Sequence, residues 1–452
     1  MDAGSGVSEE VSICDLSAVE MAREIRAGSL SARDAVMAHL ERIEQENPVL
    51  NAVVTLVAEK ALAWAAQADE AQARGEALGP LHGLPVVHKD LQPTKGIRTT
   101  WGSRIFKDFV PEADAPLVSR MRAAGAITLG KSNTPEFGAG SQTFNEVFGA
   151  TLNPYDLTKT CGGSTGGGAV ALSRGMAALA DGSDLGGSLR NPASFCGVVG
   201  LRPSAPAVPE EWGPMAVEGP MGRTVADVAL LWPVLSGQAV SMPRRGFEGV
   251  RIAWWKDLGG NVPVDPRVRA ITNAQRRVFE SLGCVVEEAE PSWFGVDETF
   301  KTLRLWSRDV KLGALLRRNR DLVKDSILWE LEEAGKLSAP DVGAALVKQV
   351  EIEQRMRRFL ERYEFFVLPV SQVLPFDVTT PYPTEIDGVK LNTYIDWMKS
   401  CYYISTTGCP AVSVPCGLSE EGLPVGIQIV GRHRDEWGLL RMAQAFEEGR
   451  AS

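Results

Sequence analysis

The sequence predicts an α/β protein: a large mixed central β-sheet covered by α-helices on both faces. Three observations predict it. Short apolar runs with strand character alternate with amphipathic helix patterns along the chain. Helix start signals stand between them, Ser17 with Glu20 and Asp265 with Pro266 among the clearest. Prolines and glycines are scattered as turn punctuation and are not gathered into a linker. Strands and helices in alternation imply a sheet with helices on both faces. Sites in such sheets form outside the carboxyl ends of strands.

Taken in order, Ser17 and Glu20 form a capping box that opens a first helix, and Gly28 closes it. Ser31 with Asp34 opens a second, which carries Val36, Leu40 and Ile43 on one face. An alanine-rich helix is expected over about 57–74. Leu84-Pro85-Val86-Val87-His88 reads as a buried strand that delivers Lys89 and Asp90 at its C-terminal end. A helix around 116–124 and a strand over Ala126–Leu129 continue the alternation. Thr165–Ala180 reads as a helix headed by Ser164. Trp254 and Trp255 fall on a strand, with packing as their expected role. Asp265 caps a helix with Pro266 in its first turn, and Gly283 ends it. The segment 297–365 reads as mostly helical. Strands near 411–415 and 424–430 and a helix from about 436 close the chain.

The bulk properties narrow the function. A chain of 452 residues, 44% hydrophobic and 23% charged, buries a large core, and the whole of 1–452 is read as a single domain. A net charge of −10 argues against a nucleic-acid partner. Met1 to Cys14 lacks a charged-then-apolar signal layout, and no apolar run reaches the roughly 20 residues of a membrane helix. Seven cysteines with irregular spacing and no CxxC suit reduced thiols in a cytoplasmic protein. His82 and His88 are too few and too isolated for a metal site and read as satisfied structural residues. The glycine clusters lack the Gly-Lys-Ser/Thr ending of a phosphate loop. No cofactor and no metal are therefore expected.

The chemistry lies in two glycine-serine clusters. Asp184-Leu185-Gly186-Gly187-Ser188-Leu189-Arg190 sets a hydroxyl directly after two glycines, and Cys161-Gly162-Gly163-Ser164-Thr165-Gly166-Gly167-Gly168 does so upstream. Bare glycine backbone lets a substrate carbonyl come close and leaves N–H groups free to point at it. Each serine could equally cap a helix. What favours chemistry is the recurrence, because a stripped backbone is costly to fold. A nucleophilic serine needs a base, and with 4 histidines in the chain Lys89 is the best candidate. A lysine near its usual value of about 10.4 is protonated at neutral pH, and burial at a strand end would lower that value.

At these residues the chain resembles the amidase signature hydrolases. The resemblance runs through nearly the whole chain and is densest over about 83–203. It includes Gly83-Leu84-Pro85-Val86-Val87-His88-Lys89-Asp90, Ala124-Gly125-Ala126-Ile127-Thr128-Leu129-Gly130-Lys131-Ser132-Asn133 and both glycine-serine clusters. Gly408-Cys409-Pro410-Ala411-Val412-Ser413-Val414-Pro415 and Gly422-Leu423-Pro424-Val425-Gly426-Ile427-Gln428 also look like the family's. The resemblance implies a Ser–Ser–Lys triad: Ser188 as nucleophile, Ser164 as bridging serine after a cis peptide bond, and Lys89 as general base. It also implies an oxyanion hole from the N–H groups of Leu185, Gly186, Gly187 and Ser188, and substrate contacts at Gly140 and Ser141. Thr165 stands where the family usually has a second serine, and Ser183 where it usually has threonine; both keep a hydroxyl.

The implied activity is hydrolysis of a C–N bond in a small, uncharged, apolar or aryl amide or carbamate, by a monomer or homodimer with no membrane partner. Phe137 to Thr143, Trp212 to Met215 and Tyr394 to Tyr403 are the expected lining. Two alternatives stand beside this reading. One is a glutamyl-tRNA amidotransferase component that works with partner proteins; no tRNA-binding appendage follows the C-terminal helix pattern. The other takes Gly162-Gly163-Ser164-Thr165-Gly166 as the nucleophile elbow of an α/β-hydrolase, with His433 as base.

Overall fold

A computed structural model describes residues 12–205, 215–239, 246–260 and 262–451. Eleven strands form one sheet: β1 (Val53–Leu56), β2 (Pro85–Lys89), β3 (Ile127–Ser132), β4 (Leu179–Asp184), β5 (Val199–Arg202), β6 (Val217–Gly222), β7 (Arg251–Trp254), β8 (Val285–Glu288), β9 (Phe365–Pro369), β10 (Ala411–Leu418) and β11 (Pro424–Val430). Their order is β1-β3-β2-β4-β6-β5-β10-β11-β9-β7-β8. β3, β2 and β4 run parallel, as do β9, β7 and β8; the strands between them pair antiparallel. The sheet is therefore mixed, as the sequence predicts.

The helices follow from local signals. Ser17 and Glu20 exchange both bonds of a capping box at α1 (Ala18–Ala27), and Gly28, at φ 77°, ends it. Ser31 caps α2 (Ala32–Leu50) through the Asp34 N–H. α3 (Ala58–Ala73) and α4 (Pro116–Ala123) lie close to their expected bounds. α5 (Gly166–Ser173) and α6 (Arg190–Cys196) follow the two glycine-serine clusters. Thr224 and Asp227 box the start of α7 (Val225–Ser236). α8 (Pro266–Asn273) and α9 (Arg276–Ser281) come next. The helical stretch comprises α10 (Val296–Arg318), α11 (Asp325–Ala334) and α12 (Ala339–Arg362). α13 (Lys399–Thr406) and α14 (Glu436–Ala451) complete the set.

Two helix expectations need correction. The helix expected over Thr165–Ala180 stops at Ser173, because Gly175 turns left-handed at φ 65°, and Leu179 and Ala180 belong to β4. The helix from Pro266 to Gly283 is two helices, broken at Ala274 and Gln275.

Both faces of the sheet are covered. Val87 packs with α2, α3 and α5 through Val36, Ala61 and Val170, while its neighbour Val86 packs with α1, α4 and α7 through Met21, Leu117 and Leu231. Successive strand residues point to opposite faces, so one dipeptide samples both layers. All five residues of β2 are buried, as in the middle of a doubly covered sheet. A third cluster gathers β7, β9, β10 and β11 with α10, α12, α13 and α14. Trp254 and Trp255 belong to it as packing residues.

Candidate active site

β2 carries Lys89 to its C-terminal end, inside the molecule and fully buried. Its Nζ donates to Ser164 Oγ at 2.8 Å and to Ser183 Oγ at 3.1 Å. Burial pushes the ammonium down to about 7, against the pull of Asp184, Asp181 and Glu218. No ion pair with a carboxylate holds its charge among the described residues.

Ser164 sits between β3 and α5 and is 2% exposed. The peptide bond that precedes it, Gly163–Ser164, is cis, as the resemblance implies. The glycines around it mark close backbone approach. A Cβ on Gly162 would stand 2.5 Å from Asn191 Oδ1, one on Gly166 would stand 2.2 Å from Thr143 Oγ1, and one on Gly167 would stand 2.3 Å from the Asn133 nitrogen. This segment is threaded between neighbours, and only glycine fits.

Ser188 lies in the turn between β4 and α6 and is partly exposed. Its carbonyl accepts from the Thr165 N–H at 3.2 Å, which ties the two clusters together. Ser188 Oγ and Ser164 Oγ share no hydrogen bond in this arrangement. The Gly187 N–H departs from expectation: it donates to Asp184 Oδ1 at 2.9 Å. The N–H groups of Leu185, Gly186 and Ser188 have no protein acceptor among the described residues.

The turn is held by a carboxylate to which the sequence alone assigns no role. Asp184 also accepts from the Leu189 N–H, from both Nε and Nη2 of Arg190, and from Arg202 Nη1. All three side chains are fully buried. Burial alone would raise the Asp184 carboxyl, but the Arg190 and Arg202 charges hold it well below the usual range. Two arginines clamp one carboxylate, and that carboxylate fixes two N–H groups of the turn. Arg190 is visible in the sequence cluster; Arg202, on β5, is not adjacent to it.

The walls come from elsewhere. A Cβ on Gly186 would lie 3.0 Å from Phe300 Cζ on α10 and 3.6 Å from Tyr402 Cβ on α13. Phe300 and Tyr402 stack at 4.2 Å. Gly187, at φ 117°, faces Cys401, whose Cβ would stand 2.6 Å from an added Cβ. A Cβ on Gly140 would lie 3.9 Å from Tyr394 Cε2, and Ser141 is buried beside it. Gly138 comes within 3.5 Å of Ser164 Oγ by the same measure. Within the expected lining, Trp397 and Tyr403 are core residues, Trp397 packed on Phe195 and Phe376 and Tyr403 on Trp293. Trp212 and its two following residues lie outside the described residues, while Met215 is buried in the core.

His433 does not join the site. Its Nε2 meets the Ala205 carbonyl at 3.2 Å, and Ser164 Oγ is bonded to Lys89. The expectation of an elbow serine served by His433 is thus overturned, since no hydrogen bond links that imidazole to either serine among the described residues. His88 has both ring nitrogens partnered, by Asp181 Oδ2 at 2.5 Å and Thr128 Oγ1 at 3.0 Å. No group of His, Cys, Asp and Glu suited to a metal ion occurs among the described residues, and no described helix is long and apolar enough to cross a membrane.

Comparison with known proteins places this geometry in context. The Amidase family model matches residues 34–440. An acylamidase of Rhodococcus erythropolis is 34% identical over 463 residues, covering 96% of this chain and 95% of that protein. A glutamyl-tRNA(Gln) amidotransferase component of Alkaliphilus metalliredigens (strain QYMF) is 33% identical over 478 residues, covering 94% of this chain and 95% of that protein. The crystal structure of a bacterial aryl acylamidase of the amidase signature family superposes with a TM-score of 0.88 at 27% identity, covering 96% of each chain.

Proposed function

We propose a function from one premise: this chain belongs to the Amidase family. It hydrolyses the C–N bond of an amide, with Ser188 as nucleophile, Ser164 as bridging hydroxyl and Lys89 as base. The observation that carries this reading is the 2.8 Å contact of Lys89 Nζ with Ser164 Oγ, made where burial brings the lysine to about 7. A base poised near the working pH is the most effective kind.

The contacts around Lys89 and Ser164 support the following course. Neutral Lys89 takes the Ser164 proton while Ser164 takes the proton of Ser188, whose Oγ attacks the carbonyl carbon. The hydrogen bond between Ser188 and Ser164 forms with substrate in place, as catalytic hydrogen bonds often do. The carbonyl oxygen gains negative charge and is met by the N–H groups of Leu185, Gly186 and Ser188; each such donor typically supplies roughly 10²–10³ in rate. The proton on Lys89 returns through Ser164 to the departing nitrogen, so an amine leaves and not an amide anion. Water, deprotonated along the same chain, then releases the acyl group from Ser188.

The substrate is an uncharged amide or carbamate with an apolar or aryl part. The Phe300–Tyr402 stack beside Gly186, Cys401 beside Gly187 and Tyr394 beside Gly140 support that preference. So do the names of the acylamidase and aryl acylamidase relatives. The chain works in the cytoplasm as a monomer or homodimer; seven buried thiols support a reducing compartment. The similarity to amidotransferase components favours a second reading, in which partner proteins are required. Two measurements test the proposal. The purified chain alone should turn over a p-nitroanilide or aryl carbamate, and dependence on partner proteins would favour the second reading. A fluorophosphonate should label Ser188, and an adduct on Ser164 in the mass spectrum would reverse the assigned roles.

A further inference from the structure

Next to Lys89, on β2 and β4, lies a second polar pair that the reaction does not use. Asp181, on β4 beside β2, is fully buried. Its Oδ2 meets His88 Nδ1 at 2.5 Å, and its Oδ1 accepts the backbone N–H of Lys89 at 3.2 Å. His88 in turn reaches Thr128 on β3 at 3.0 Å. One carboxylate thus spans the residue before the base and the base's own main chain, and a buried polar chain crosses three strands directly beneath the site. β2 pairs with β4 at Val86 and Val87. Asp181 continues the link between the strands for two residues beyond that ladder.

We infer that Asp181 is a positioning residue for Lys89: shared between the His88 ring and the Lys89 main chain, its carboxylate fixes the end of β2 and sets a negative charge behind the ammonium. The other charges around the lysine are accounted for. Asp184 is clamped by Arg190 and Arg202. Glu218 on β6 is bonded by Gln92 Nε2 at 2.8 Å. Lys131 on β3 faces both Asp90 and Asp181. Among the carboxylates that pull on Lys89, Asp181 alone also holds its backbone. This inference rests on Lys89 being the base.

The test is the acid limb of kcat/KM against pH, measured on the full chain with a p-nitroanilide and repeated as the pH dependence of fluorophosphonate labelling. In Asp181→Asn an opposite charge is lost, the protonated lysine is less favoured, and the midpoint moves down by roughly one unit. His88→Leu strips the carboxylate of the donor that orients it and lets it turn away from the lysine, so the midpoint moves in the same direction. His88→Asn keeps an N–H where Nδ1 was and holds the wild-type midpoint. If Asp181→Asn does not fold, the two His88 variants still decide the matter. A midpoint that stays at the wild-type value in whichever of Asp181→Asn and His88→Leu is folded overturns the inference, whatever the plateau rate. So does an upward shift, or an equal shift in His88→Asn. Lys89→Ala is the control: persistence of the limb in that variant would remove Lys89 as the base, a different failure from an unmoved limb in Asp181→Asn.

Discussion

Two lysines lie fully buried at the ends of neighbouring strands, Lys89 on β2 and Lys131 on β3, and they do different things. Burial lowers both, Lys89 to about 7 and Lys131 to about 8, against nearby carboxylates in each case. Their partners differ. Lys89 donates to two hydroxyls, Ser164 and Ser183. Lys131 donates to the Gln92 carbonyl and to Thr94 Oγ1, and it faces Asp90. A hydroxyl both accepts and donates, so it can pass a proton onward, but the Thr94 hydroxyl donates its own proton to the Gln92 carbonyl, which only accepts. Burial makes a lysine capable of acting as a base, and what it touches decides whether it acts. Lys131 ties the 92–94 loop to the sheet, whereas Lys89 has the contacts that the proposed proton path needs.

The comparison breaks most sharply in turnover. Lys89→Ala should lower kcat by about 10³ or more with little change in KM, since the lysine acts on the proton. Lys131→Met should lower the melting temperature and leave kcat within about tenfold of wild type. Equal losses of kcat in the two variants would erase the distinction.

The pH profile sharpens it. In wild type kcat/KM should rise through a midpoint near 7 and stay high on the alkaline side, because Lys89 must be neutral to accept a proton. The limb should survive Lys131→Met and vanish from the residual activity of Lys89→Ala. A bell with an alkaline fall near 8 in wild type, absent from Lys131→Met, would give Lys131 a part in the chemistry.

Smaller effects test the partners. Ser183→Ala removes one of the two hydroxyls on Lys89 and should cost about tenfold in kcat, within the range of a lost hydrogen bond to a charged group. Thr94→Val, the matching change at Lys131, should leave kcat unaltered, as steady-state kinetics would report.

The smallest expected effect is on stability. Both lysines bind a proton less readily folded than unfolded, so the unfolded chain holds more protons between about 7 and 10.5. Stability therefore rises with pH across that window. The slope of melting temperature against pH should be shallower in Lys89→Met and in Lys131→Met than in wild type, by similar amounts. An unchanged slope in both would mean that neither lysine is neutral when folded.

Much of this is legible in the sequence, for physical reasons. Capping chemistry is local, so Ser17–Glu20, Ser31 and Asp265 place their helices correctly. Glycine clusters advertise close approach, so Ser164 and Ser188 stand out without a structure. The relation of Lys89 to Ser164 comes with the family resemblance. What stays hidden depends on residues brought together by the fold. Arg202 reaches Asp184 from another strand, and the pull of that carboxylate takes Gly187 out of the expected set of donors. His88 reads as a satisfied structural residue, and it is one; the residue that satisfies it, Asp181, lies 93 positions away. Helix ends escape where the signal is weak: Gly175 ends α5 early, and the break between α8 and α9 carries neither proline nor glycine.

The floor and the walls of the site come from separate stretches of chain. Lys89, Ser164 and Ser188, with the carboxylates behind them, lie on β2 and β4 and on the turns beside α5 and α6, all drawn from the N-terminal half. Phe300, Tyr394, Cys401 and Tyr402, which press on Gly186, Gly140 and Gly187, come from the C-terminal half. The two are nevertheless bolted together: the Cys401 carbonyl and Ser405 Oγ, both on α13, accept from Arg190, the arginine that clamps Asp184. A replacement along α13 is therefore felt in the turn that carries Ser188 as well as in the wall. For an engineer this makes Phe300, on α10, a safer position to vary than the neighbours of Cys401.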